Sequence, residues 1–206
     1  MSKMFTLSNG EISIDVSSHG AELRSLKRLS TGREYMWSGD DKYWGRVSPI
    51  LFPLVGNYRD KKVSIDGSVY ESGQHGFARD MEFHIASKME DELWFVLNSN
   101  DETKKFYPYN FSLMVCYRLN GDRLRVMWNV MNHDKGNIYF SIGGHPAFLS
   151  SVDGAAIAFD VTGPITAGVL DENGLLSDRT KDFDLYGGRL LLSHEMFDED
   201  AVTASR

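Results

Sequence analysis

Two stretches of residues that alternate in polarity, 111–119 and 123–131, flank the turn sequence Asn120-Gly121-Asp122. In the second stretch the apolar positions are Leu124, Val126, Trp128 and Val130. A period of two places one set of side chains on each face of a strand, and Asn-Gly favours the positive φ angles of a tight turn. The pattern predicts a long antiparallel β-ribbon.

Similar turn sequences recur along the chain, at Asn9-Gly10, Asp66-Gly67, Asp153-Gly154 and Asn173-Gly174. Segments rich in β-branched and aromatic residues lie between them and predict further strands. These strands are expected over residues 12–16, 22–29, 83–88, 92–98, 139–142 and 156–161, with a tight hairpin around Asp66-Gly67. No window keeps a helical period of apolar residues for three turns. The chain is therefore predicted to be all-β, with antiparallel sheets that form a sandwich or a barrel.

Composition favours one domain. The chain has 206 residues, of which 42% are hydrophobic and 25% charged, and no repeat or linker interrupts it. We therefore predict a single β-sandwich domain over residues 1–206. The residues after 192 show no evident strand that would cover the last sheet edge, and complete domains normally cover such edges. The domain is expected to lack its C-terminal strands.

The charge of the chain and the absence of targeting signals argue against nucleic-acid binding, secretion and membrane insertion. Lys and Arg number 22 against 29 Asp and Glu, and the net charge of -7 argues against nucleic acid as a partner. The N-terminus lacks a secretory apolar segment, and no stretch approaches the roughly 18 apolar residues of a membrane helix. We expect a cytoplasmic protein without a membrane partner. The lone Cys116 lies in an apolar run and is expected to be a buried thiol.

No cofactor or metal is predicted. The chain has no Gly-x-Ser-x-Gly elbow, no phosphate-binding P-loop and no dinucleotide-type glycine motif. Four of the six histidines show no metal-ligand spacing, and these are His19, His84, His133 and His194.

One arginine, Arg46, precedes an apolar stretch that lies between Pro49 and Pro53. A charge in such a place needs a partner, because burying an unpaired charge is costly. The planar guanidinium suits sugar hydroxyls or an anionic group, but it could equally pair with a carboxylate at a strand end. Both interpretations stay open from the residues alone.

Two histidines stand in segments that could carry chemistry. His75 lies in the segment 73–80 among small and polar residues, where it could bind a ligand in a cleft or be a loop histidine beside a surface Arg79-Asp80 charge pair. His145 follows Gly143-Gly144 and precedes Pro146, which favours an extended backbone and fixes the direction of the ring. His145 could be a general acid or a buried histidine at a strand end.

Aromatic residues cluster beside these segments. Their faces suit the C–H faces of sugars, although such residues are more often core. They are Trp37, Tyr43, Trp44, Phe52, Phe77 and Phe148.

Taken together and in this order, the segments 45–53, 75–79 and 143–148 resemble those of the aldose 1-epimerase (galactose mutarotase) family, in particular its bacterial LacX-like branch. The resemblance runs from Gly20-Ala21-Glu22-Leu23 to the segment 194–197. It implies an antiparallel β-supersandwich, a cofactor-free sugar site, and interconversion of the α and β anomers of a free aldohexose such as galactose. The assembly is expected to be a monomer or a homodimer.

The resemblance also implies roles for four residues. His145 corresponds to the general acid that protonates the ring oxygen, and His75 and Arg46 correspond to groups that hold the sugar hydroxyls. Arg79 is a further candidate for substrate binding. Relatives that act on hexose 6-phosphates usually carry Arg-Gly-Gly where this chain has Arg46-Val47-Ser48, so an unphosphorylated sugar is favoured.

The general base of the family is a glutamate on a strand near the C-terminus, and no glutamate of these 206 residues is assigned that role. The first hypothesis is that the parent protein is a mutarotase-like isomerase and that this chain is most of it, without the terminal strands and the base. The alternative is a non-catalytic carbohydrate-binding or sugar-sensing protein of the same fold that keeps Arg46, His75 and His145 for recognition alone. A third hypothesis, an unrelated β-sandwich interaction domain, would bind no sugar.

Overall fold

The computed structural model describes residues 2–198 and 201–204, and strands are the main regular structure in them. The strands are, in chain order, β1 (Met4–Ser8), β2 (Ile12–Ser17), β3 (Leu23–Arg28), β4 (Arg33–Glu34), β5 (Ile50–Leu51), β6 (Lys62–Ile65), β7 (Ser68–Glu71), β8 (His84–Lys88), β9 (Glu92–Asn98), β10 (Phe111–Asn120), β11 (Arg123–Asn132), β12 (Gly143–Gly144), β13 (Ala156–Ala158), β14 (Ile165–Leu170), β15 (Leu176–Phe183), β16 (Arg189–Leu191) and β17 (Thr203–Ala204). Short 3-10 turns occur at Arg59–Lys61, Ala78–Asp80, Thr103–Lys105 and His194–Phe197. Among the described residues, no helix is long and apolar enough to span a membrane.

All pairings between these strands are antiparallel, which confirms the prediction of an all-β antiparallel chain. The residues group into two compact units, one up to Leu149 and one from Ser150 onward. In the second unit β14 pairs with β15 and β17, and β13 pairs with β16. The short β17 is a strand beyond residue 192, where the sequence pattern shows none. The single domain over residues 1–206 stays a prediction.

The first unit contains two four-stranded sheets, in the orders β1-β2-β3-β4 and β11-β10-β9-β8. Both bury side chains in one common core, in which the Phe5 ring on β1 meets the Phe95 ring on β9 at a centroid distance of 5.6 Å. Phe95 also packs edge-on against Tyr117 of β10, at 6.3 Å. The buried Tyr117 hydroxyl donates to the Ala21 carbonyl at 2.6 Å, so its polar end is satisfied.

The hairpin predicted around Asn120-Gly121-Asp122 is confirmed. Asn120 pairs with Arg123, which leaves Gly121-Asp122 as the loop, and the Gly121 φ of +56° lies in the left-handed region. The hairpin around Asp66-Gly67 is also confirmed, because β6 and β7 pair across it.

The prediction of a strand over residues 139–142 is wrong. The structure has no strand there, and the pairing with β5 begins only at β12. Continued pairing would place Ser141 opposite Pro53, and proline has no N–H to complete the ladder. The Ser141 N–H still donates to the Pro53 carbonyl at 2.7 Å, but this single bond does not extend the strand. The strand expected over residues 156–161 is shorter and ends at Ala158.

Cys116 is buried on β10, as its apolar neighbours predict. Burial first, and then the charge of Glu92, raises the pKa of its thiol to about 11. The group is therefore a protonated, apolar core residue at neutral pH.

Phe52 connects the end of β5 with an aromatic part of the core. Its side chain is 0% exposed and packs against the rings of Phe77, Tyr107, Phe111 and Phe140. We expect Phe52→Ala to lower the free energy of unfolding by about 3–5 kcal/mol, because it removes buried area and leaves a cavity. Urea denaturation measures this loss. Phe106→Ala, at a partly exposed ring, is the matched control and should cost less stability. An equal loss of unfolding free energy in both variants would contradict the role of Phe52 as a core anchor.

Candidate functional site

The three segments identified in the sequence lie side by side, joined by backbone hydrogen bonds. On one side of the segment 47–52, β12 pairs with β5, and the His145 N–H donates to the Pro49 carbonyl at 3.1 Å. On the other side, the Phe77 N–H donates to the Phe52 carbonyl at 3.0 Å. The segment 47–52 is thus the backbone scaffold that brings both histidine segments to one region.

The backbone of His75 is in the left-handed region, with φ +65°, and Gly76 follows at φ +69°. A Cβ at position 76 would collide with the Phe52 carbonyl, so the close approach of these two segments requires glycine. Glycine at this position also lets the chain turn and present the imidazole beside residue 56.

Two hydrogen bonds between His75 and Gly56 fix the imidazole. The His75 N–H donates to the Gly56 carbonyl at 3.0 Å, and the Gly56 N–H donates to the ring atom Nδ1 at 2.9 Å. A peptide N–H can only donate, so Nδ1 must be unprotonated in this arrangement. The neutral ring therefore carries its proton on Nε2, and this nitrogen is a hydrogen-bond donor.

The His75 ring is kept neutral by its surroundings. Burial first, then the positive charge of Arg79 and the nearby His145, lowers the pKa of His75 from 6.5 to about 4. As the pH falls from about 6.5, the unfolded chain takes up this proton before the folded chain does. The contribution of His75 to stability is therefore complete above about pH 6.5 and is lost as the pH falls toward 4.

His145 is exposed, and its ring lies 6.1 Å from the His75 ring and 5.2 Å from the Trp44 ring, as centroid distances. The carbonyl of Trp44 accepts from the indole N–H of Trp37 at 2.9 Å, which fixes the backbone at this aromatic residue. The two histidines and one aromatic face thus border the same patch of surface.

Arg46 reaches this region from the other end of the central segment. Its Nη2 donates to Asp80 Oδ1 at 2.6 Å, and its Nη1 donates to the Arg79 carbonyl at 3.4 Å. The pairing with a carboxylate, left open by the sequence, is present at the end of the 3-10 turn Ala78–Asp80. A third of the Arg46 side chain stays exposed, at 31%.

Arg79 is the more buried arginine, with its side chain 16% exposed. Its Nη2 donates to the Gln74 carbonyl at 2.7 Å, while its buried Nε makes no hydrogen bond and lies 3.8 Å from Asp80 Oδ2. Burial and then Arg46 lower the pKa of Arg79, and Asp80 opposes them. The sequence suggests a surface ion pair between Arg79 and Asp80. In the structure Asp80 contacts both arginines and lies closer to Arg46 than to Arg79.

A separate apolar cavity of about 440 Å³ lies against the same β5–β12 ribbon. Gly144 and Pro146 line it, and a Cβ at position 144 would meet the Trp128 ring at 3.2 Å. Because successive side chains of an extended chain point to opposite faces, His145 points away from this cavity. The imidazole site and the cavity are thus on different faces of the ribbon.

The site presents mainly hydrogen-bond donors, from two guanidinium groups and from His75 Nε2, with an exposed imidazole and an aromatic ring beside them. Such an array fits a ligand that carries many oxygen acceptors. Within residues 2–198 and 201–204, no group of three or more His, Cys, Asp or Glu side chains could hold a metal ion.

Comparisons with known proteins identify the family. The sequence model described as aldose 1-epimerase matches residues 3–166. The chain belongs to the aldose 1-epimerase family. Protein LacX (plasmid) of Lactococcus lactis subsp. lactis is 32% identical, over 97% of this chain and 71% of that protein.

Solved structures of galactose mutarotase-like proteins have the same fold. A galactose mutarotase related enzyme from Lactobacillus acidophilus is 30% identical, with a TM-score of 0.90 over 99% of this chain and 70% of that one. A galactose mutarotase-like protein from Lactobacillus casei is 29% identical, with a TM-score of 0.91 over 99% of this chain and 72% of that one. The fold class expected from the resemblance is therefore confirmed.

The structure brings together all four residues predicted for the site, and it adds three that the sequence did not single out for it. Asp80 pairs with Arg46, and Gly56 sets the tautomer of His75. The third is Glu22, which is buried and accepts from the peptide N–H groups that follow Arg46. Glu22 stands in Gly20-Ala21-Glu22-Leu23, where the resemblance begins, but neither the segment nor the spacing indicates a role for its carboxylate.

The state of His75 can be tested by ¹⁵N NMR of its ring. We expect a proton on Nε2 at neutral pH and a pKa of about 4. Arg79→Gln removes a nearby positive charge, so the pKa should rise, but only part of the way to 6.5 because burial, the larger cause, remains. A proton on Nδ1, or a pKa that Arg79→Gln leaves unchanged, would contradict the geometry.

Proposed function

We propose that this protein is an aldose 1-epimerase that interconverts the α and β anomers of a free aldohexose, with His145 as general acid. The observation that carries the proposal is the pair of imidazoles, 6.1 Å apart, with the positive charge of Arg79 acting on His75 and with Asp80 shared between Arg79 and Arg46. Membership of the family supports the reaction class. The related Lactobacillus proteins are named after galactose mutarotase, and this supports a hexose substrate.

In this proposal the sugar ring is held by donors. Arg46 and His75 Nε2 donate to hydroxyl groups, and Arg79 strengthens the positive potential around them. The face of Trp44 offers an apolar surface for the C–H groups of the ring. A neutral His75 also places no like charge beside His145 when that ring carries a proton.

The reaction needs two coordinated proton transfers. His145 donates a proton to the ring oxygen while the hydroxyl on C1 gives its proton to a water molecule, and the bond between C1 and the ring oxygen breaks to give the open aldehyde. Rotation about C1–C2 then exposes the other face of the carbonyl. The hydroxyl on C5 attacks that face and returns its proton to His145, and the C1 oxygen takes a proton back from water.

The second candidate function is sugar binding without catalysis. It is favoured by one observation: Asp80, the carboxylate that the contacts place at the site, is engaged by Arg46 at 2.6 Å and is poorly disposed to act as a base. A positioned acid or base contributes about 10²- to 10⁴-fold in rate. Both functions therefore predict that the protein binds sugar, but only the epimerase predicts that it accelerates anomer exchange.

Anomer exchange of glucose and galactose, followed by saturation-transfer NMR, tests the role of His145. We expect His145→Ala to slow the protein-dependent exchange by about 10²- to 10⁴-fold, because the ring oxygen loses its proton donor. His84→Ala, at an exposed histidine on β8, is the matched control and should leave exchange unchanged. Exchange that His145→Ala does not slow would remove the acid assignment, and sugar binding without any exchange would establish the second candidate.

The charge at the site favours an unphosphorylated hexose. Asp80 neutralises part of the positive charge of Arg46, and the Gln74 carbonyl engages Arg79. We expect glucose to exchange faster than glucose 6-phosphate at equal concentration, and Asp80→Asn to shift the preference toward the phosphate because it removes the competing carboxylate. A wild-type preference for the phosphorylated sugar would contradict this assignment. The cytoplasmic location and the monomeric or dimeric state stay predictions.

A further inference from the structure

Glu22 is a buried carboxylate at the start of the backbone segment that carries Arg46. Glu22 is 7% exposed, and its Oε1 accepts from the Val47 N–H at 2.6 Å and from the Ser48 N–H at 2.9 Å. Hydrogen bonds to a charged group are stronger than neutral ones, and a buried carboxylate needs them. The two peptide groups that follow Arg46 are therefore held by one side chain.

The second oxygen of this carboxylate holds the chain on the other side of Arg46. Oε2 accepts from Arg24 Nη1 at 3.0 Å, and the same Nη1 donates to the Gly45 carbonyl at 3.2 Å. The backbone before Arg46 and the backbone after it are thus fixed by a single Glu22–Arg24 pair. This leaves little freedom for the Cα of Arg46 to move.

The turn that precedes Glu22 also fixes the partner of Arg46. Gly20, with φ +70°, donates its N–H to the Met81 carbonyl at 2.8 Å, and a Cβ there would lie only 2.8 Å from the Arg79 carbonyl oxygen. The next residue, Ala21, is held by the Tyr117 hydroxyl. The turn therefore contacts the segment that bears Asp80 while its carboxylate holds the segment that bears Arg46.

We infer that Glu22 is a positioning residue that sets the Arg46 guanidinium against Asp80 beside the two imidazoles. This inference deepens the proposed function and rests on it only where sugar affinity is concerned. Glu22 need not touch a sugar. It acts through the peptide groups of residues 45–48, and its loss should let the guanidinium leave the place where it can meet a hydroxyl group.

The first experiment needs no ligand. Glu22→Gln keeps an acceptor oxygen but removes the charge, and its NH₂ group would face the Arg24 guanidinium, donor against donor. We expect amide exchange at Val47 and Ser48 to become about tenfold faster or more, because hydrogen bonds to a charged acceptor are lost. The Arg46 Nε–H NMR signal should shift at the same time.

Glu34→Gln is the matched control. Glu34 Oε1 also accepts from peptide N–H groups, those of Leu26, Tyr35 and Met36, but these lie on β3 and near β4 rather than beside Arg46. This substitution should leave amide exchange at Val47 and Ser48, and the Arg46 signal, unchanged. It separates a local effect of Glu22 from a general loss of stability.

The second experiment is a double-mutant cycle on glucose and galactose affinity, measured by NMR titration. Glu22→Gln should weaken binding about tenfold in the wild-type background and have no further effect in an Arg46→Ala background, because its effect passes through Arg46. A structural role alone would weaken binding equally in both backgrounds, and that result would overturn the inference.

The outcomes separate the two proposals. Unchanged exchange at Val47 and Ser48, or an unmoved Arg46 signal, in Glu22→Gln would overturn the positioning role whatever the protein binds. If wild-type protein binds neither sugar, the proposed function fails, and the two NMR readouts alone decide the role of Glu22.

Discussion

The hydrogen bonds along residues 47–52 determine where every group of the site lies. Backbone groups in the interior must be paired, and this short segment pairs on one side with β12 and on the other with the segment that follows His75. The Phe52 side chain anchors it in the core. Because a strand offers only two edges, the two histidine segments are brought to the same region from positions about seventy residues apart in the sequence.

The electrostatic arrangement follows from this backbone arrangement. The chain carries a net charge of -7, yet Arg46, Arg79, His75 and His145 meet at one place. Two features reduce the electrostatic repulsion between these groups. Burial keeps the His75 ring neutral, and Asp80 contacts both guanidinium groups. The result is a surface rich in donors but without the full repulsion of four cations.

Local patterns in the sequence predict the hairpins well, because the turn residues and the alternation that build them are adjacent in the chain. The β10–β11 ribbon is the clearest case. Pairings between distant short segments are harder: β5 has two residues, and the missing N–H of Pro53 moves its partner from residues 139–142 to β12. The motifs likewise single out three segments that the structure places side by side, whereas the contacts of Asp80 and Glu22 depend on how remote segments approach each other.

The single thiol has a practical consequence for solution studies of this chain. Cys116 lies on β10 between two hydrogen-bonded neighbours, and its sulfur is held in the protonated state. The thiolate is the form of cysteine that attacks alkylating reagents, so modification must wait until the strand separates from its partners. The mass added by such a reagent, followed over hours in native buffer, therefore reports how often this inner strand opens, without any engineered probe.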